Sequence, residues 1–293
     1  MANLKEVRER ISSVVTTQQI TKAMKLVAAS KLKRAQDSIT KMRPYSQVLS
    51  NMLENVMANL DGVELDLGLN RSVDNPKRGL LIVMTSDRGL CGAFNANLMK
   101  KAKEVMASNS AMSYDILPVG KKAFEFAQRE GVEVIDSFWT SFANIEFDAA
   151  AAIAEFAIKG FSEGTYDTVK VVFSEFVNAA TQKIESSQYL PVSMEGEGSN
   201  DTTSTSADYI FEPNQAELLD ILIPKILRTT MFRFMLDTNA SEHGARMVAM
   251  EQATENANEL LRDLKLQYNR ERQAAITNEI LEIVGGAAAL EEG

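Results

Sequence analysis

From Leu4 the apolar residues return in steps of three and four: Leu4, Val7, Ile11 and Val14, then Ala28, Leu32, Ala35, Ile39 and Met42. Those steps mark one face of a helix and come close to a heptad seam. Leu49, Met52, Leu53 and Val56 continue the stripe after Pro44, where a missing backbone donor and a crowded preceding turn predict a kink. Residues 3–57 contain no glycine, so the pattern predicts one helix of roughly 80 Å. Residues 214–284 read the same way, with Leu260, Leu264, Tyr268, Ala275 and Val284 on an interrupted stripe and Pro224 in the opening turns. Gly285–Gly286 is expected to close this helix, and its length would be about 90 to 100 Å. Isolated helices draw most of their stability from packing. The simplest arrangement is therefore an antiparallel coiled coil between the two chain ends; two separate partner-binding helices are the alternative.

Between the long helices the period changes. "GLLIVMTS" is a short apolar run ended by turn residues, followed by helical "NANLMKKAKEVMAS". "YDILPVG" reads as a strand, "KKAFEFAQRE" as a helix and "GVEVID" as a strand. "FDAAAAIAEFAIKGFSEG" is helical, "YDTVKVVFSEFVN" is a strand, and "QKIESSQYLPV" is a last strand at an edge hairpin. Such alternation implies a mostly parallel sheet with helices on its faces. The expected fold class is α/β: a long antiparallel coiled coil of N- and C-terminal helices plus a central Rossmann-like domain. The boundaries fall at 1–57, 78–192 and 213–286. Polar stretches join them, and the second, "MEGEGSNDTTSTSAD", has the acidic, Ser/Thr-rich composition of a mobile loop.

Charge and composition narrow the function. No run approaches the roughly 18 apolar residues of a membrane span. The start, "MANLKEVRERI", has neither a secretory signal's apolar core nor a transit peptide's composition, which points to a cytosolic bacterial compartment. A single Cys and a single His cannot build a disulfide or a typical zinc site. A net charge of −9 speaks against general nucleic-acid binding. Yet from Lys22 to Arg43 seven basic residues face one acid, Asp37. That stripe suits an acidic partner or an anionic surface, or is simply a solvated helix face.

"TSDRGLCGAFN", Thr85–Asn95, has the look of an active site: a glycine-rich turn after a buried strand, carrying Asp87, Arg88 and the lone Cys91. It fails as a P-loop, because no lysine and hydroxyl follow the glycines, and the dinucleotide fingerprint is absent too. Cys91 would need a base, and the only histidine, His243, lies in the second long helix. The preferred reading makes Cys91 a small packed residue and has Asp87 and Arg88 pair locally or touch a partner loop. Glu251, Glu255 and Glu259 read as surface. Phe138, Trp139, Phe142 and Phe147 read as a hydrophobic cluster. No catalytic residue, cofactor or metal is expected. One loose end is the apolar terminus "IVGGAAAL", which should aggregate unless a partner encloses it.

Several stretches together resemble one family. "MANLKEVRERISSVVTTQQITKAMKLVAASKLKRAQ", "TSDRGLCGAFN", "SEHGARMVAMEQATENANELL" and "LQYNRERQAAITNEILEIVGGAAAL" are similar to the gamma subunit of F-type ATP synthase, and the likeness covers nearly the whole chain. The resemblance implies a non-catalytic central-stalk rotor on the cytoplasmic face of the bacterial inner membrane. Its shaft would lie in a ring of three alpha and three beta subunits, with epsilon and the c ring at its foot and its tip, Ile276 to Leu290, in the ring's apolar sleeve. It also implies site residues. Met24, Lys25, Arg246, Arg272, Gln273, Thr277 and Glu279 would face the alpha/beta ring, while Tyr209 and Glu212 would lie at the foot near the c ring and epsilon. A static coiled-coil scaffold and an enzyme built on the 85–95 loop are the competing readings.

Overall fold

The computed structural model describes residues 4–58, 69, 75–108, 112–135, 138–142, 145–192 and 215–291. The order of elements is α1 (Leu4–Ala58), β1 (Arg78–Met84), α2 (Phe94–Ala107), β2 (Ser113–Val119), α3 (Lys121–Glu130), a 3-10 turn (Trp139–Phe142), α4 (Phe147–Ser162), β3 (Thr168–Phe176), β4 (Gln182–Leu190) and α5 (Gln215–Glu291). The chain divides into two compact units: Met1–Ala28 with Met247–Gly293, and Ala29–Arg246.

In the larger unit the strand order is β2-β1-β3-β4. β1 pairs in parallel with both β2 and β3, and β4 lies antiparallel at the edge beside β3. β1 alternates between two cores. Leu80, Ile82 and Met84 face α4 and the first half of α5, meeting Ile153, Ala157, Phe161, Leu227 and Met231. Leu81 and Val83 face α2 and α3, meeting Leu98, Ala102, Ala123 and Phe126. Buried on both faces, the strand is apolar throughout, as a parallel core strand must be. The aromatic stretch spreads into packing: Trp139 stacks on Phe124, Phe138 meets Phe156, and Phe147 meets Phe232.

The smaller unit pairs the start of α1 with the end of α5. Gln18 bonds Asn258, Thr21 bonds Thr254 at 2.9 Å, and Lys25 pairs with Glu251. Numbers that rise on one helix fall on the other, so the pair is antiparallel. On α1 the seam runs Val7, Ile11, Val14, Gln18, Thr21, Lys25, Ala28, all buried or half-buried. On α5 it runs Met250, Thr254, Ala257, Leu261, Leu264, Tyr268. Both alternate steps of four and three, the spacing of a coiled-coil seam. The apolar gap between Val14 and Ala28 is thus a polar layer of the seam.

Three expectations change. Leu260 and Val284 are exposed, and Leu261 takes the seam position instead; the polar Thr254 had hidden the phase. The described part of "GVEVID", residues 131–135, forms no strand. It makes only a single bridge, Val134 to Ile116, after Gly131 ends α3 in the left-handed region. Finally, α5 continues through Gly285–Gly286 to Glu291. Each glycine costs a helix interior about 1 kcal/mol relative to alanine, and the three alanines that follow carry the helix on. α1 likewise runs as one helix through Pro44.

Candidate functional sites

The 85–95 loop leaves the C-terminal end of β1 between β2 and β3. In a doubly wound sheet this is where the strand connections diverge and where ligands bind. Here the side chains of Thr85, Ser86, Asp87 and Asn95 are already engaged within the fold. Thr85 Oγ1 accepts the Ala123 N–H at 2.7 Å and Asp87 Oδ1 accepts that of Lys121 at 3.0 Å. The loop thereby caps the free N–H groups at the start of α3. Asn95 accepts from Ser86 N at 3.1 Å and donates to Ser86 Oγ at 2.8 Å and to Cys91 Sγ at 3.2 Å. Cys91 is buried, a small core residue at the turn. Cys91→Ala is accordingly expected to cost only about 1 kcal/mol, read as a small shift of the urea midpoint.

Helix α5 is bonded to β3 and to the loop. Ser174 N donates to Thr238 Oγ1 at 3.3 Å, and Ser241 Oγ donates to Ser174 O at 3.3 Å. Higher on the helix, the Arg246 guanidinium donates to the carbonyls of Gly89 at 3.0 Å and Arg88 at 3.3 Å, and pairs with Glu242. Glu242 is 4% exposed, and His243 Nδ1 lies 2.6 Å from its Oε2, off-line for a hydrogen bond. Burial pushes the Glu242 carboxyl up, but His243 and Arg246 together outweigh it and hold the group below the usual carboxylate range. The clamp leaves Leu90 at φ 67°, with its side chain 65% exposed at the loop tip. Glu242 escaped the sequence reading; its only signal was an acid one turn before Arg246.

The other site residues lie elsewhere. Met24 and Lys25 sit half-buried on α1, with Lys25 bound to Glu251. Arg272, Gln273, Thr277 and Glu279 are exposed on α5, and Thr277 Oγ1 donates back to Gln273 O at 2.9 Å. Tyr209, Glu212 and the 195–207 loop lie outside the described residues. Cys91 Sγ meets Ser86 and Asn95 while His243 lies against Glu242, and the described residues hold no cluster of three or more His, Cys, Asp or Glu placed to take a metal. No described helix is long and apolar enough to cross a membrane.

The last turns of α5 expose Ile276, Ile280, Leu281, Ile283 and Val284, the most open being Ile283 at 72%. The pairing register explains this. Gln18 opposite Asn258 and Lys25 opposite Glu251 place Leu4 opposite about residue 272, since both helices rise equally per residue. Beyond that point α5 has no described stretch of α1 beside it.

The ATP synthase family model matches residues 3–290. The chain is 47% identical to the ATP synthase gamma chain of Cytophaga hutchinsonii over 296 aligned residues, covering 99% of both. The chain belongs to the ATP synthase gamma-chain family. It is 44% identical to the gamma chain of Chlorobium phaeobacteroides, again over 99% of both. Its structure resembles a central-stalk chain of the Tetrahymena thermophila mitochondrial ATP synthase, with TM-score 0.58 and 26% identity, over 80% of this chain and 99% of that one. A chain of the Euglena gracilis mitochondrial enzyme shares the fold at TM-score 0.62 and 19% identity, over 99% and 95%. A member of the gamma-chain family is a component of an ATP synthase complex, and the α/β sheet with long terminal helices is the fold of its central stalk.

Proposed function

We propose that the chain is the turning shaft of a bacterial ATP synthase and performs no bond chemistry itself. An ion-driven ring of c subunits turns it at the cytoplasmic face of the inner membrane, and it moves inside a ring of three alpha and three beta subunits. Epsilon binds near the foot, where Tyr209 and Glu212 are the proposed contacts with the c ring. Met24, Lys25, Arg272, Gln273, Thr277 and Glu279 are the proposed contacts with the alpha/beta ring. Arg246 serves the same surface by fixing the 85–95 loop. The uneven surface of the paired helices presents each beta subunit in turn with different contacts. A contact that favours one beta conformation over another shifts its nucleotide affinity by that difference.

The observation that carries this reading is the exposed apolar end of α5. A row of isoleucines, leucine and valine open to water marks an interaction surface, and a ring of partner subunits closing around the tip would bury it. Burying one such side chain contributes about 1.5–3 kcal/mol. The double variant Ile280→Asp, Ile283→Asp should therefore weaken assembly with the alpha/beta ring by on the order of a hundredfold or more. Its own folding should be unchanged, because both positions are exposed. Native mass measurement of the reconstituted complex, with the urea midpoint of the free chain alongside, reads both. Normal assembly of the double variant would sink the proposal.

A further inference from the structure

A groove of about 1080 Å³ opens in the larger unit between α1, α5 and the β3–β4 edge. Its floor is apolar, with Ile39, Phe173 and Leu236 all buried. Charged side chains line the rest, and they differ in how they are engaged. Lys183 is held by Glu185 and lies 3.9 Å from Glu175, and Lys101 lies 3.9 Å from Glu104. Arg43 and Arg233 enter no ion pair among the described residues; Arg233 only overlies the Phe234 ring. Arg43 and Arg233 thus form no ion pair among the described residues, and the Asp237 carboxyl of the same groove acts on both; beside a small apolar floor they can take an oxyanion, with room for a hydrophobic body against that floor.

We infer that this groove binds a small amphiphilic anion, its phosphate- or carboxylate-type head between Arg43 and Arg233 and its acyl or aryl body on Ile39, Phe173 and Leu236. The site stands apart from the shaft role proposed above and does not depend on it. Asp237 tunes it. Burial pushes the Asp237 carboxyl up to about 6, against the pull of Arg233 and Arg43 and with a small push from Glu175. Lys101 from α2 and Lys183 and Glu185 from β4 complete the charged groups around the groove. Above that value Asp237 is ionised and competes for the two arginines. Below it the carboxyl is neutral and the arginines are left to the ligand, so an anion binds more tightly in mild acid.

Titrating the full chain with octanesulfonate, whose charge is constant over the range, tests this by methyl NMR. The Ile39, Met42 and Leu236 methyls should shift together and saturate with a Kd below about 1 mM, a modest affinity for so small a probe. Arg43→Gln with Arg233→Gln should weaken binding at least tenfold without moving the urea midpoint, and octanol should not distinguish the variant from the parent. Binding should tighten severalfold from pH 7.5 to 5.5 in the parent but not in Asp237→Asn. Octyl phosphate and octanoate, compared at pH 7.5, identify the preferred head, and both should compete with the sulfonate. Undiminished binding by the double variant, or shifts confined to the α5 tip, would overturn the inference. So would a pH dependence that survives Asp237→Asn.

Discussion

Gly120→Ala is expected to remove a large share of the stability of the α/β unit. Gly120 sits at φ 106°, ψ 145° between β2 and α3, a region open essentially to glycine alone. A Cβ there would lie 2.1 Å from Thr85 O and 3.1 Å from Thr85 Oγ1. Thr85 cannot retreat cheaply: its N–H bonds Val119 O at 2.8 Å and its hydroxyl caps Ala123 at 2.7 Å. Backbone strain of about 1–3 kcal/mol and disrupted buried hydrogen bonds at about 1–3 kcal/mol each add to roughly 4–6 kcal/mol, against a typical total of about 5–15 kcal/mol. Gly131→Ala is the control. It also has positive φ, but nothing lies within 4 Å of the added carbon, so it should cost only about 1–2 kcal/mol. Urea unfolding of both variants decides the matter, and a Gly120→Ala protein within 1 kcal/mol of the parent, a margin within ordinary surface-mutation effects, would refute the account.

Arg246→Ala should cost nearly as much. It strands the buried Glu242 carboxylate with only His243 beside it and leaves the Arg88 and Gly89 carbonyls without their guanidinium. Breaking a buried pair by removing one partner costs about 3–5 kcal/mol. Glu242→Gln with Arg246→Gln should cost less than the sum of the single changes, which a double-mutant cycle reads directly. The pH dependence has a definite sign. The folded-state Glu242 carboxyl is held below its unfolded value, near 4.3 by the ordinary figure. Its contribution is therefore complete above that pH and is lost as pH falls through the folded value. The gap in stability between the parent and Glu242→Gln should narrow as the pH is lowered from 5 toward 3. A gap constant over that range would mean that Glu242 is not held as an ion.

These two positions also show what a sequence can and cannot display. The β1 run was legible because a strand buried on both faces must be apolar at every position. The long helices were legible because their stripes repeat over many turns. The exact seam on α5 was not, since Thr254 interrupts the apolar phase and Leu260 and Leu261 stand side by side. "GVEVID" alternates as a strand would, but pairing depends on a neighbour's edge, which no local pattern encodes. The active-site look of the 85–95 loop was real at the level of residue types. Only the fold shows that Thr85 and Asp87 cap α3 and that Arg246, more than 150 residues away, holds the backbone carbonyls. A backbone acceptor leaves no mark in a sequence, so that contact was invisible. The apolar tip of α5 was legible as composition, while its nakedness follows from the pairing register alone.

The polar layer of the helix pair has a mechanical meaning. Two helices joined by a purely apolar heptad seam can slide past one another by seven residues and find equivalent packing. Here such a slide would set Thr21 against Leu261 in one direction or Met247 in the other, leaving a hydroxyl without its mate. It would also part Gln18 from Asn258 and Lys25 from Glu251. Losing the part-buried Thr21–Thr254 bond costs about 1–3 kcal/mol, and each of the two more exposed contacts adds at most about 1 kcal/mol. Under axial shear, then, this layer works as a keyway: the two strands of the shaft can be twisted together, but neither creeps along the other.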